Sequence, residues 1–279
     1  MTLSETGDAA AHGQNEDIGA FIVHHVQNSS EWNFFGYKIH LPQFEPFQIF
    51  GLNIDLSITN HVVMIWVAAL FLVLIFGLSF SRRRLVPRGF AAILEMLLLF
   101  IRDEVAIASL GEEDGRRFTP ILATFFFFIL TCNLMGMIPL FTTPTGNINV
   151  TAAMAIITFL TGQIMGIRNN GLVKHIKSLV PAGVPVMLIP LMFIIEVMGL
   201  LAKHFALIVR LFANMIAGHI VFFAFLGLIM IFKSVWISPL SVGFGVFVDL
   251  LEILVSFIQA YVFTILSALF IGMSVRPEH

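Results

Sequence analysis

The sequence predicts an all-α polytopic membrane protein with five membrane-crossing helices and one interfacial helix. The last two crossing helices are expected to be long, tilted and folded into a hairpin, with a small β-hairpin outside the membrane near the N-terminus. Three observations carry this expectation. Of the 279 residues, 58% are hydrophobic and 11% charged, too few charges to solvate a water-facing globule of this size. The apolar residues gather in runs of about 20 or more, the length that roughly 30 Å of hydrocarbon demands. Basic residues concentrate in alternate loops, as they do where loops are sorted to the cytoplasmic side.

Residues 1–57 read as an extracytoplasmic segment and 58–279 as the membrane domain. The first 20 residues are acidic (Glu5, Asp8, Glu16, Asp17) and lack the basic and apolar regions of a signal peptide, so a disordered tail is expected. Two alternating runs follow, 32–44 and 47–57, broken by Pro42 and Pro46, which predicts the hairpin at the membrane surface. The first span, 61–80, ends at Arg82, Arg83, Arg84 and Arg88; that cluster belongs inside and places the N-terminus outside. Residues 89–110 carry an apolar face (Ile93, Leu97, Phe100) interrupted by Glu95, Arg102, Asp103 and Glu104, which suits a helix lying in the inner interface. A charged loop is expected at 111–117, spans at 118–138 and 150–167, and a polar outer loop at 139–149. Arg168, Lys174 and Lys177 then fall inside again.

Of the 15 Lys and Arg, eleven lie on this inner assignment, Lys38 and Lys233 outside, and Lys203 and Arg210 within apolar sequence. Residues 185–232 are apolar for more than forty positions, so they form either one steeply tilted helix or two upright spans. With one, the spans number five and the C-terminus is cytoplasmic. Residues 240–273 form the last long helix. Net charge is −2 and the basic residues follow topology, which excludes a nucleic-acid patch. The single cysteine, Cys132, permits no internal disulfide. The sequence has no P-loop, His-Glu-x-x-His or Cys-x-x-Cys pattern, so neither a nucleotide site nor a metal site nor a cofactor is expected.

The chemistry is written on the last two helices. Arg210 cannot shed its charge, and a cation near the middle of a bilayer costs roughly 2.5–3.5 kcal/mol even on lenient scales. At 100° per residue, Glu196, Lys203, Arg210 and Asn214 fall within about 40° of one another, with His219 about 180° from Arg210. On the last helix Asp249, Glu252, Ser256 and Gln259 lie within about 80°. A hairpin turning near Trp236 sets Glu252 level with Ile220, beside His219, and Gln259 level with Ala213, beside Arg210 and Asn214. Polar side chains also serve as interhelical glue. Here the ionisable groups outnumber what mutual pairing needs, and embedded carboxylate and histidine chains are the material of proton relays.

The stretch Arg210-Leu-Phe-Ala-Asn214-Met-Ile-Ala-Gly218-His219, with Glu196 upstream, Glu252 and Gln259 on the last helix and Asn133-Leu-Met-Gly136-Met-Ile-Pro139 earlier, closely resembles subunit a of the F-type ATP synthase, from about residue 55 onward. The resemblance implies a non-catalytic stator subunit in a bacterial inner membrane. Its implied partners are a ring of small hairpin subunits that each carry a membrane carboxylate, the peripheral-stalk membrane subunit, the lipid bilayer, and protons or Na⁺. It further implies that Arg210 faces the ring between two offset half-channels, the outer using His219, Glu252, Asn214 and Gln259 and the inner passing Glu196. Lys203, Asp249 and Ser256 are carried over as possible members of the pathway. A stand-alone proton-coupled transporter is the alternative; it would show repeat symmetry and helices broken at midplane, and the sequence shows neither.

Overall fold

The computed structural model describes residues 31–34, 37–43, 47–49, 52–54, 57–81, 87–138, 141–179, 183–232 and 238–275. The expected disordered tail, the cluster Arg82, Arg83 and Arg84, the turn near Trp236 and the terminus from Arg276 lie outside these residues. Strand β1 (Glu31–Phe34) pairs antiparallel with β2 (Tyr37–His40), and β3 (Phe47–Ile49) with β4 (Leu52–Ile54). Each alternating run therefore folds back on itself, giving two hairpins where one was expected. The register leaves two residues between the paired strands, 35–36 and 50–51, and in both the second is glycine, a composition suited to tight hairpin connections.

Five helices are long and apolar enough to cross a membrane. The first, α1 (Asn60–Ser79), buries Met64 and Ala68 while Trp66, Leu70, Phe71, Val73, Leu74 and Leu78 are exposed. So much exposed apolar surface on one helix is stable against hydrocarbon or another membrane protein, not against water. A shorter helical stretch follows as α2 (Phe90–Phe100), a π-helical turn (Ile101–Ile107) and α3 (Ala108–Leu110). Its buried side is Leu94, Ile101, Val105, Ala106 and Leu110, whereas Ile93 and Phe100 of the expected apolar face are exposed. The stretch thus has two apolar sides, one toward protein, and Arg102 forms an exposed ion pair with Asp103 at 2.7 Å.

The charged segment 111–117 is not a loop. Gly111, at φ 81°, ends the preceding helix, and α4 (Glu112–Gly136) begins at once with Glu112, Glu113 and Asp114 in its first turn. Three carboxylates there complement the positive end of the helix dipole, and Arg116 pairs with Glu112 one turn back at 3.0 Å. The phenylalanine run on this helix fills the core, with Phe125, Phe126 and Phe127 all buried. Helix α5 (Ile148–Asn170) and the short α6 (Leu172–Lys177) lead to α7 (Ile189–Phe232) and α8 (Ser238–Val275). Within the apolar stretch 185–232, a 3-10 turn (Val186–Leu188) leads into one unbroken 44-residue helix, about 66 Å at 1.5 Å per residue. Twice the thickness of the hydrocarbon, it crosses only at a steep inclination.

The described residues pack as two compact units. One takes those up to Val67 with Cys132–Asn147 and Ala213–Ser256; the other takes Ala68–Thr131, Ile148–Phe212 and Phe257–His279. In the first, Phe225 stacks on Phe244 with ring centroids 5.4 Å apart, joining α7 to α8. In the second, Phe125 meets Phe263 edge-on, Phe76 meets Phe127, and His204 of α7 lies between Phe159 and Phe270. Thr158 and Ser267, both buried, approach within 3.2 Å there and tie α5 to α8.

Candidate functional site

In the first unit α7 and α8 run antiparallel, and His219 meets Glu252: Nδ1 lies 3.2 Å from Oε1. The level expected from sequence is met to within one residue. Glu252 is 8% exposed. Its carboxylate lies so close to α7 that a β-carbon at position 218 would stand 2.9 Å from Oε1, so glycine at 218 is what admits it. The imidazole is held at both nitrogens. Nδ1 is 3.0 Å from the Met215 carbonyl, and Nε2 is 2.9 Å from Thr143 Oγ1 and 3.1 Å from the Gly136 carbonyl. Because Nδ1 aligns on Met215, the approach to Glu252 is an ion-pair contact and not a hydrogen bond, which leaves Oε1 buried without a donor. With Oε1 unpartnered and only 3.2 Å from Nδ1, a small turn of the Nδ1–H from the Met215 carbonyl toward Oε1 would make the hydrogen bond along which the two groups can exchange a proton.

Around this pair lie residues of both kinds, anticipated and not. Asp249 and Ser256 flank Glu252 one turn to either side on α8; Asp249 is half-buried, and Ser256 is fully buried with an unpartnered Oγ. Asn214 is half-buried on α7. Sequence reasoning missed Thr143 and His61. Thr143 is 4% exposed, and its carbonyl accepts a hydrogen bond from the ring of His61 on α1, itself 3% exposed. The segment 143–146 is pinned again where Thr145 Oγ1 donates to Asn133 Oδ1 at 2.7 Å. The available signal was modest: a histidine opening an apolar span, and threonines in a loop read only as polar.

The second unit holds Arg210, Glu196, Lys203 and Gln259. The buried side of α7 here is His204, Leu207 and Leu211, at i, i+3 and i+7. Arg210 lies off that stripe by about 100° at 100° per residue and is exposed. Gln259 is buried, 5% exposed, with Nε2 unpartnered. The expected meeting of this amide with the arginine does not occur, because one side chain turns into the helix packing and the other out of it. Among the described residues Arg210 has neither an ion pair nor a side-chain hydrogen bond.

Glu196 and Lys203 line one cavity of about 790 Å³, together with His175, His204, Gln163 and Ser274. His175 Nε2 is 2.9 Å from Gln163 Oε1, and a β-carbon on Gly166 would stand 2.5 Å from the His175 ring. Burial pushes this imidazole below its ordinary value. His175 and Gln163 were also unforeseen, since around them the sequence signals only the positive charge of Arg168, Lys174 and Lys177.

Residues 62–272 match the family described as ATP synthase A chain. ATP synthase subunit a of Chloroherpeton thalassium is 49% identical over 262 residues, covering 92% of this chain and 77% of that protein. The subunit a of Myxococcus xanthus is 52% identical over 230 residues, covering 81% and 75%. ATP synthase subunit a 2 of Chlorobium luteolum is 44% identical over 279 residues, covering 97% and 80%. The matched span holds nearly all of the chain from α1 to α8, and with it Arg210, the His219–Glu252 pair and most of the residues that line the cavity of the second unit. On that extent and identity, this chain belongs to the ATP synthase A chain family.

Proposed function

We propose that this chain is the ion-translocating stator subunit of a rotary ATP synthase, presenting two offset half-channels to a rotating ring of small subunits that each carry a membrane carboxylate. The observation that carries the reading is Arg210: a permanent cation in the middle of an apolar helix, exposed, with no partner among the described residues of its own chain. At a cost of about 2.5–3.5 kcal/mol in hydrocarbon, such a charge calls for an anion supplied from outside the chain. A ring carboxylate fits that need.

The mechanism is electrostatic. A ring carboxylate passing Arg210 is held ionised by the guanidinium, and it must take a proton before moving on into lipid, where the charged form is too costly to travel. Arginine does not give up its own proton, so it separates the two paths, and ions cross only as the ring turns. The outer path runs through His219 and Glu252, with Asn214 and Gln259 as further polar members and with Asp249 and Ser256 one turn to either side of Glu252 on α8. Unpartnered buried oxygens such as Glu252 Oε1 and Ser256 Oγ suit a route that water and protons use in passing. The inner path is the cavity lined by Glu196 and Lys203. The N-terminus lies outside and the C-terminus in the cytoplasm of a bacterial plasma membrane, and a peripheral-stalk subunit anchors the chain against rotation.

Arg210→Ala in the reconstituted complex tests this. ATP-driven pumping is expected to vanish while passive proton leak through the membrane sector persists. Normal coupled pumping in Arg210→Ala, or purification of the chain free of any ring of small subunits under conditions that preserve the complex, overturns the proposal.

A further inference from the structure

His219 faces an unusual set of partners. The Met215 carbonyl at Nδ1 and the Gly136 carbonyl at Nε2 are acceptors only. A neutral imidazole carries one N–H and one lone pair, so with carbonyls alone its lone pair would face an oxygen, and the ring would be satisfied only when doubly protonated. A group that relays protons has to be accommodated in both forms. Among the described residues, the hydrogen-bonded neighbour able to serve both is Thr143, whose hydroxyl lies 2.9 Å from Nε2. It donates to the lone pair of the neutral ring and, turned about its C–O bond, accepts from Nε2–H of the charged one. Thr143 is itself held from behind, since its carbonyl accepts from both the His61 ring and the Gly146 N–H, the latter at 3.1 Å.

We propose that Thr143 is the positioning hydroxyl that lets His219 alternate between its protonation states, and that His61 on α1 holds Thr143 in place for that purpose. The inference rests on the outer half-channel reading above and adds two residues to it. Glu252 lies on the Nδ1 side of the ring, with Asp249 one turn along α8; on the Nε2 side the carbonyl of Gly136 and the Thr143–His61 pair complete the surroundings. Aspects of position and of chemistry are separable, because a hydroxyl can be removed without changing side-chain size.

The test uses the whole complex in sealed vesicles, with proton flux normalised to assembled complex. Thr143→Val keeps the shape and removes the hydroxyl, and a roughly tenfold loss of flux is expected, the worth of about one hydrogen bond. Thr143→Ser restores the hydroxyl and should return flux to within about twofold of wild type, a rescue that a purely space-filling role would not give. His61→Ala should lower flux, and His61→Gln, which keeps an N–H donor for the Thr143 carbonyl, should recover most of it. If the valine variant fails to assemble, Thr143→Ala, which only removes atoms, replaces it. Wild-type flux in the variant lacking the hydroxyl, or a serine variant as slow as the valine one, overturns the role of Thr143; wild-type flux in His61→Ala overturns that of His61. Glu252→Gln measured alongside separates the two levels of argument. If it is slow while Thr143→Val is normal, only the present inference falls, whereas normal flux in Glu252→Gln removes the outer path on which it rests.

Discussion

Glu252→Gln asks whether the His219–Glu252 contact relays protons or only holds α7 to α8. The amide is nearly isosteric and still able to hydrogen-bond an imidazole, so a structural role predicts an assembled complex with normal transport. A relay predicts an assembled complex that transports slowly. The separation of 3.2 Å between Nδ1 and Oε1 sets the scale. At an effective dielectric of about 20, unit charges at that distance attract by about 5 kcal/mol before desolvation is subtracted. When the Nδ1–H turns onto Oε1 for transfer, the charged hydrogen bond so formed nets about 1.5–3 kcal/mol, which corresponds to roughly 10- to 150-fold. Asp249, one turn away and half-buried, offers a second carboxylate, so the lower part of that range is expected. Exchanging the pair, His219→Glu with Glu252→His, rebuilds the same contact in reverse order and should exceed either single variant by about tenfold. The assay is proton flux into reconstituted vesicles, normalised to assembled complex. A double variant no faster than the slower single variant refutes a shared relay.

Two further predictions concern topology and pH. Ser274→Cys, on the last turns of α8, should react with a membrane-impermeant thiol reagent only from the inner face, with little background from the fully buried Cys132; labelling from the outer face refutes the five-span orientation. His175 is held below its ordinary value of 6.5 by burial, so the unfolded chain binds the extra proton first as pH falls. Its contribution therefore lowers stability as pH drops below about 6.5, and stability is regained above. His175→Asn should flatten that slope in thermal unfolding of the purified complex between about pH 5 and 7.5, and an unchanged slope would show that the His175 site does not set it.

Much of the helical architecture was legible because it follows from one requirement, apolar runs long enough for hydrocarbon, and that requirement needs no knowledge of packing. The same logic placed Glu252 beside His219, since antiparallel helices separated by only a few residues of sequence have little freedom in register. It misjudged the segment 111–117, where acidic residues were read as solvent-seeking when three of them stabilise the start of α4. It also misread 32–57, where pairing within each run competes with pairing between runs and the shorter connection wins.

The charged candidates, and the amides and serine in line with them, stood out in the sequence, whereas Thr143 and the Gly136 carbonyl did not, for a physical reason. A carboxylate or guanidinium in hydrocarbon is conspicuous from sequence because it is expensive there. A threonine hydroxyl or a glycine carbonyl costs little and becomes informative only through what it touches. The Arg210–Gln259 pairing shows the reverse limit. Level along the helix axes did not bring the two side chains together, because contact also requires a shared direction round each helix, and Leu207 and Leu211 show that the buried direction of α7 is not the one Arg210 takes. An arginine turned out of its own chain's packing is consistent with a partner that moves. On the proposed function, firm pairing with Gln259 would leave the guanidinium less free to attract each ring carboxylate in turn and to release it once protonated.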